Sequence, residues 1–169
     1  MKFSFCPDCG AKLVAREVGD EGLVPWCEAC GRPWFDMFPT CVIALVSNSR
    51  GQVLLLRQDY IHPVYRNLVS GYITPGESAE ECVVREIAEE TGLHVAALRL
   101  AGTWWFAKKE MLMVGFMARV DDGDLRLSAE VDDAGWVSAA EALQMVHPAG
   151  SVSHALVEMF VHSDPFKAC

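Results

Sequence analysis

Between Gly71 and Leu93 the chain sets an unusual density of carboxylates on one short segment: Gly71, Glu77, then Arg85-Glu86-Ile87-Ala88-Glu89-Glu90-Thr91-Gly92-Leu93. Ser78 followed by Glu81 is a capping box, in which two unpaired amides are satisfied reciprocally, so a helix starts there. Gly92 stops it, because glycine tolerates the left-handed conformation that ends helices. The spacing predicts a helix over 78–91 with Val83, Val84, Ile87, Ala88 and Thr91 packed inward. Glu86, Glu89 and Glu90 lie three and four residues apart and share the opposite face. Like charges so placed repel by roughly a few tenths of a kcal/mol per pair. Arg85 offsets part of that through Glu89, one turn on. A Mg²⁺ or Mn²⁺ ion would offset far more, since hard cations seek carboxylate oxygens. A solvated glutamate face is the plain alternative, and it suffices for Glu80 and Glu81.

A second constellation precedes it. Cys6-x2-Cys9 and Cys27-x2-Cys30 are separated by seventeen residues, and each pair is followed by glycine (Gly10, Gly31). That spacing belongs to zinc sites, and the glycines let the backbone turn under the thiolates. Two disulfides or a redox pair are the alternative, which a doubled CxxC at this distance disfavours. With no His or Asp placed to leave a coordination position open, the expected centre is a structural Zn²⁺ held by Cys6, Cys9, Cys27 and Cys30. Cys41 and Cys82 fall in apolar stretches and are read as packing.

At 169 residues and 51% apolar content, the chain has room for one substantial core plus a small appendage. Its net charge of −9 argues against a broad nucleic-acid surface, which depends on clustered Lys and Arg. No segment has the length of a membrane span, and the N-terminus lacks the apolar run of a signal peptide. The expected compartment is the cytoplasm, which also suits thiols that bind metal instead of pairing. Residues 1–36 read as a ribbon of two short hairpins, and 37–169 as the main domain. In the latter, strands are expected over 41–46, 53–56, 95–100, 104–106, 111–120 and 136–137. Helices are expected over 78–91, 139–146 and 152–161.

Every fixed position of G-x5-E-x7-R-E-U-x-E-E-x-G-U, with U aliphatic, is filled, and the chain resembles the Nudix family. The resemblance implies an α/β fold, an α/β/α sandwich around a mixed sheet. It also implies an enzyme that uses Mg²⁺ or Mn²⁺ to cleave a pyrophosphate bond in a nucleoside diphosphate derivative. Glu86, Glu89, Glu90 and Glu130 would form the metal shell with a backbone carbonyl at Ser70-Gly71. Glu86 or Glu89 would serve as base, and Arg85 would orient the helix. With the ribbon, the chain is most similar to the NADH pyrophosphatase branch. Leu112–Ala118, Glu130–Val137 and Gly150–His154 carry that likeness, which implies NAD(H) cleavage to NMN(H) and AMP and a homodimer. One departure stands out. The branch's S-Q-P-W-P-F-P motif is replaced by Gly102-Thr103-Trp104-Trp105-Phe106-Ala107-Lys108-Lys109, which keeps ADP-ribose or FAD open as substrates. Trp105 and Phe106 could stack a base, Lys108 could meet phosphate, and Ser153 at the last helix could line the pocket. A catalytically silent nucleotide sensor, docking through its ribbon, is the reading of a different class.

Overall fold

The structure, a computed structural model, describes residues 3–163 and 165–166. Packing divides the chain into two compact units, Met1–Phe38 and Pro39–Cys169. The first is a three-stranded antiparallel sheet of β1 (Val14–Glu17), β2 (Leu23–Cys27) and β3 (Arg32–Pro33). A bridge between Phe5 and Lys12 closes the turn that carries Cys6 and Cys9, while Cys27 and Cys30 occupy the β2–β3 turn. Gly10 and Gly31 adopt φ of 73° and 65°, and their amides donate to Cys6 O and Cys27 O, both at 2.8 Å. These are the backbone conformations for which glycine was expected after each pair. Arg16 lies over the Trp26 ring at 4.3 Å and Arg32 over Trp34 at 4.4 Å, so cation–π contacts support a unit with few buried apolar side chains.

The second unit is built on a six-stranded mixed sheet. In chain order it comprises β4 (Thr40–Ser47), β5 (Val53–Arg57), β6 (Val69–Tyr72), α1 (Ala79–Thr91), β7 (Val95–Phe106), β8 (Met111–Val120), β9 (Asp133–Val137), α2 (Ala139–Met145) and α3 (Val152–His162). The strands lie in the order β7-β8-β4-β5-β9, with β6 also on β4. Among the named strand pairs of the described residues, only β4 and β8 run parallel. Residues 41–47 of β4 are all buried, because successive side chains enter different cores. Val42, Ala44 and Val46 pack with Cys82, Val83 and Ile87 of α1. Ile43 and Leu45 pack with Ala142 of α2 and Leu156, Val157 and Phe160 of α3. The result is the expected α/β/α sandwich.

Two expectations need correction. Residues 95–106 form one strand, not two, because register shifts between Val95 and Ala97 and between Leu100 and Gly102 absorb the irregular residues without ending the pairing with β8. On α1, Cys82 packs inward as expected, but Val84 and Ala88 are exposed and Glu90 is buried. The apolar stripe is rotated by one position, and that rotation turns Glu90 inward. The caps are as expected: Ser78 Oγ accepts from Glu81 N at 3.2 Å, Ser78 N donates to Glu81 Oε2 at 2.8 Å, and Gly92 ends the helix at φ 72°. Among the described residues no helix is long and apolar enough to cross a membrane.

Candidate active site

Helix α1 and strand β6 meet at Gly71, which pairs with Val42 in the sheet. A Cβ at Gly71 would occupy the space of Glu86 Oε1, Cδ and Cγ, the last only 2.6 Å away. Gly71 is thus required by close approach, not by a left-handed backbone. Glu86 is half-buried against it, and Arg85 Nη1 donates to its Oε1 at 2.8 Å. Burial raises its pKa, as do the charges of Glu89 and Glu130, while Arg85 acts the other way. Glu90 is only 5% exposed. Gln58 Nε2 donates to Glu90 Oε1 at 2.9 Å, and Glu90 Oε2 is buried without a hydrogen-bond partner. Burial, together with the charges of Glu86 and Glu130, pushes its carboxyl up to about 7, against the Gln58 bond and the nearby Ser70 backbone amide.

Arg85 is the hub of the box. Its Nε and Nη2 take Glu77 bidentately at 3.0 and 2.8 Å, and its Nη1 reaches Glu86 at 2.8 Å and Glu89 at 3.0 Å. Glu77 Oε1 also accepts from Thr74 N and Oγ1 at 2.7 and 2.8 Å. With Arg85 the largest influence and the Thr74 amide next, the Glu77 carboxyl is held well below the usual carboxylate range. One guanidinium therefore fastens the loop before α1 to two of its carboxylates. The sequence indicated only the Arg85–Glu89 contact.

Glu130 is exposed, on a loop hydrogen-bonded to the end of α1: Arg126 N donates to Thr91 O at 2.8 Å and Ser128 N to Glu90 O at 3.3 Å. Its charge acts on both Glu86 and Glu90, so it lies on their side of the molecule. Tyr60, 69% exposed, lies there too: partial desolvation, then the charges of Glu130, Glu90 and Glu86, raise its pKa. Neither Tyr60 nor Gln58 was singled out in the sequence. The only available signal for Gln58 was a polar residue one position beyond the end of β5.

The aromatic run divides by strand alternation. Trp104 packs into the α2/α3 core, and its ring covers Gly115, where a Cβ would collide with it. Trp105 points to the other face, the α1 face, and is 54% exposed. Phe106 is half-buried, and Lys108 is exposed in the 3₁₀ turn Ala107–Lys109. Ser153 is buried on α3, which packs on the face opposite α1, so it is not brought beside the carboxylates.

In the N-terminal unit the four sulfurs of Cys6, Cys9, Cys27 and Cys30 lie within 4.8 Å of one another, and the cysteines are not disulfide-bonded. Cys6 and Cys30 are 3.9 Å apart, Cys9 and Cys27 3.5 Å. Thiolates placed tetrahedrally about 2.3 Å from zinc have sulfurs roughly 3.8 Å apart, so the set fits that ion. Among the described residues no second group of Cys, His, Asp or Glu gathers as tightly; the glutamates are organised through Arg85 and Gln58 instead.

A model of the NUDIX domain matches residues 37–156. The chain is 32% identical over 162 residues to the NAD-capped RNA hydrolase NudC of Vibrio parahaemolyticus, covering 93% of this chain and 59% of that protein. It is 33% identical over 159 residues to the NAD-capped RNA hydrolase NudC of Vibrio cholerae, covering 91% and 56%. The chain thus spans less than two thirds of the length of these relatives. Among solved structures, a NUDIX hydrolase from Nitrosomonas europaea superposes with a TM-score of 0.73 over 95% of this chain and 91% of that one. At 21% identity that likeness shows a shared fold.

Proposed function

The chain belongs to the NUDIX family, and we propose that it hydrolyses the pyrophosphate bond of a nucleoside diphosphate derivative. The proposed substrate is a dinucleotide such as NAD(H), cleaved to NMN(H) and AMP. The observation that carries this reading is the carboxylate site: Glu86 seated on Gly71, and Glu90 buried with one oxygen unpartnered. A sensor that only bound nucleotide would have no use for a desolvated, partly unsatisfied carboxylate, which is expensive to maintain. Relatives named as NAD-capped RNA hydrolases support the dinucleotide. The replaced motif at Gly102–Lys109 favours ADP-ribose or FAD as the second reading.

Glu86, Glu89, Glu90 and Glu130 offer only carboxylate oxygens, and with the backbone at Ser70 and Gly71 they would hold Mg²⁺ or Mn²⁺. When bound, such an ion supplies charge neutralisation at the phosphate oxygens and acidifies a water. The protein's own contribution is positional. Arg85 fixes Glu86 and Glu89, and Gly71 lets Glu86 lie against the sheet. Glu86 or Glu89 takes the proton from the attacking water; Glu89, with its side chain 58% exposed, is the more open to solvent. Trp105, on the α1 face, offers a ring for base stacking, and Lys108 reaches for phosphate at the hairpin tip. Cys6, Cys9, Cys27 and Cys30 would hold Zn²⁺ as a support for the N-terminal unit.

The deciding experiment is a substrate panel in Mg²⁺ or Mn²⁺, scored by products: NADH, NAD, NAD-capped RNA, ADP-ribose, FAD, diadenosine polyphosphates and nucleoside triphosphates. NADH or NAD cleaved fastest, with AMP released, is the expected result. A triphosphate cleaved best would replace the dinucleotide reading, and no turnover on any member would leave the sensor.

A further inference from the structure

Gln58 follows the last residue of β5, and its side chain is almost wholly buried at 1% exposure. Its backbone is fixed from several directions. Gln58 O accepts from Ile61 N at 2.9 Å and His62 N at 3.1 Å, and Leu56, two residues earlier, exchanges paired hydrogen bonds with Asn67. From this anchored position Nε2 donates to Glu90 Oε1, while Gln58 Oε1 is itself buried without a partner. Packing alone does not account for such a residue. A Met or Leu would fill the space without burying an unsatisfied amide oxygen, which costs roughly 1–3 kcal/mol. The compensating interaction is the bond to the Glu90 carboxylate.

We propose that Gln58 is a positioning residue that takes up Glu90 Oε1 and thereby leaves Glu90 Oε2 as the oxygen presented to a divalent cation. The inference rests on the carboxylate site proposed above and adds which atom of Glu90 binds and what holds it. The choice of amide has a physical reason. Arg or Lys in this place would hold Glu90 more strongly, but would set a positive charge beside the cation and oppose its binding. Glutamine fixes the rotamer and leaves the negative charge of the site intact. Arg85 serves Glu86 and Glu89 from the outer side of the helix, where its own charge is shared with Glu77. The buried carboxylate receives the neutral donor.

The test is Mn²⁺ binding to the substrate-free protein, read from the EPR signal of the free ion, on wild type, Gln58→Met and Glu90→Gln. Gln58→Met keeps length and volume but removes the donor. Loss of a partner that orients a metal ligand typically weakens the metal by 10–100-fold, so the Kd for Mn²⁺ should rise by about tenfold or more. The Mn²⁺ concentration for half-activation should rise by the same factor, with substrate KM within about threefold of wild type. A folded Gln58→Met protein whose Mn²⁺ affinity stays within twofold of wild type overturns the inference. So does a fall in kcat at saturating Mn²⁺ with unchanged affinity. If Glu90→Gln weakens Mn²⁺ while Gln58→Met does not, the cation site stands and the positioning role falls. A wild-type protein that takes up no Mn²⁺ refutes both. Thermal melts accompany each variant, and Gln58→Leu repeats the measurement should Met disturb folding.

Discussion

Replacing Gly71 by alanine separates the fold from the site more cleanly than removing a carboxylate. The backbone at Gly71 is extended, as β6 requires, so alanine meets no conformational penalty there and gains the modest benefit of a stiffer unfolded chain. The obstacle is Glu86. The new Cβ would stand 2.6 Å from Glu86 Cγ and overlap its carboxyl, where carbon atoms normally rest about 3.5–4.0 Å apart. Restoring contact distance moves the carboxylate by at least about 1.5 Å, and since a displacement of about 1 Å in a catalytic constellation already costs on the order of 10²-fold in rate, the loss should be at least that. That corresponds to about 2.7 kcal/mol of transition-state stabilisation. Overpacking should lower stability by about 1–3 kcal/mol, since Glu86 is half-buried and can give. Gly135→Ala is the control, because a Cβ there meets nothing within 4 Å and the residue also lies in a strand. The assay is kcat/KM on the best substrate at several Mn²⁺ concentrations, with a thermal melt of each variant. A Gly71→Ala enzyme within threefold of wild type would refute the claim that Glu86 must lie against β6.

Other outcomes follow from the same geometry. Metal analysis of the purified protein should give about one zinc per chain, and Cys27→Ser should abolish it and expose the N-terminal unit to proteolysis; zinc retained after that change would contradict the four-sulfur centre. Trp104→Ala should destabilise by roughly 3–5 kcal/mol, being a core ring, whereas Trp105→Ala should lower kcat/KM for dinucleotides by roughly 1–3 kcal/mol with a nearly unchanged melting temperature. The reverse pattern would exclude Trp105 as a stacking platform. Glu77, with its folded pKa depressed by Arg85 and Thr74, contributes stability that is present above its unfolded value of about 4.3 and is lost as pH falls toward the folded value. Glu77→Gln should therefore melt lower than wild type at pH 7, and the gap should narrow below about pH 4; a gap independent of pH would mean that Arg85 is not the cause.

Much of this was legible from local chemistry. The caps at Ser78 and Gly92, the strand that follows the box and the cysteine turns all follow from short-range rules that the fold does not override. The phase of α1 was not legible: Val84 looks like a core residue and Glu90 like a surface one. Only the approach of α1 to β6 and of Gln58 to Glu90 makes the inward turn of a carboxylate favourable. The division between Trp104 and Trp105 was likewise hidden, because alternation states that neighbours differ and not which one faces α3. Gln58 escaped because its importance lies in a partner thirty-two positions away.

The loop that bears Glu130 is tied by main-chain hydrogen bonds to the last turn of α1, the turn that bears Glu90. Those two acidic residues thus belong to one mechanical piece, although forty positions separate them in the chain. Length changes ahead of Arg126, around Asp121–Asp124, can be absorbed without disturbing the site. A single residue added between Ser128 and Val131 cannot, because it would slide Glu130 along an edge already fastened at both ends. Anyone grafting this helix onto another scaffold would have to carry residues 126–131 with it, or transfer a carboxylate cluster that lacks one of its sides.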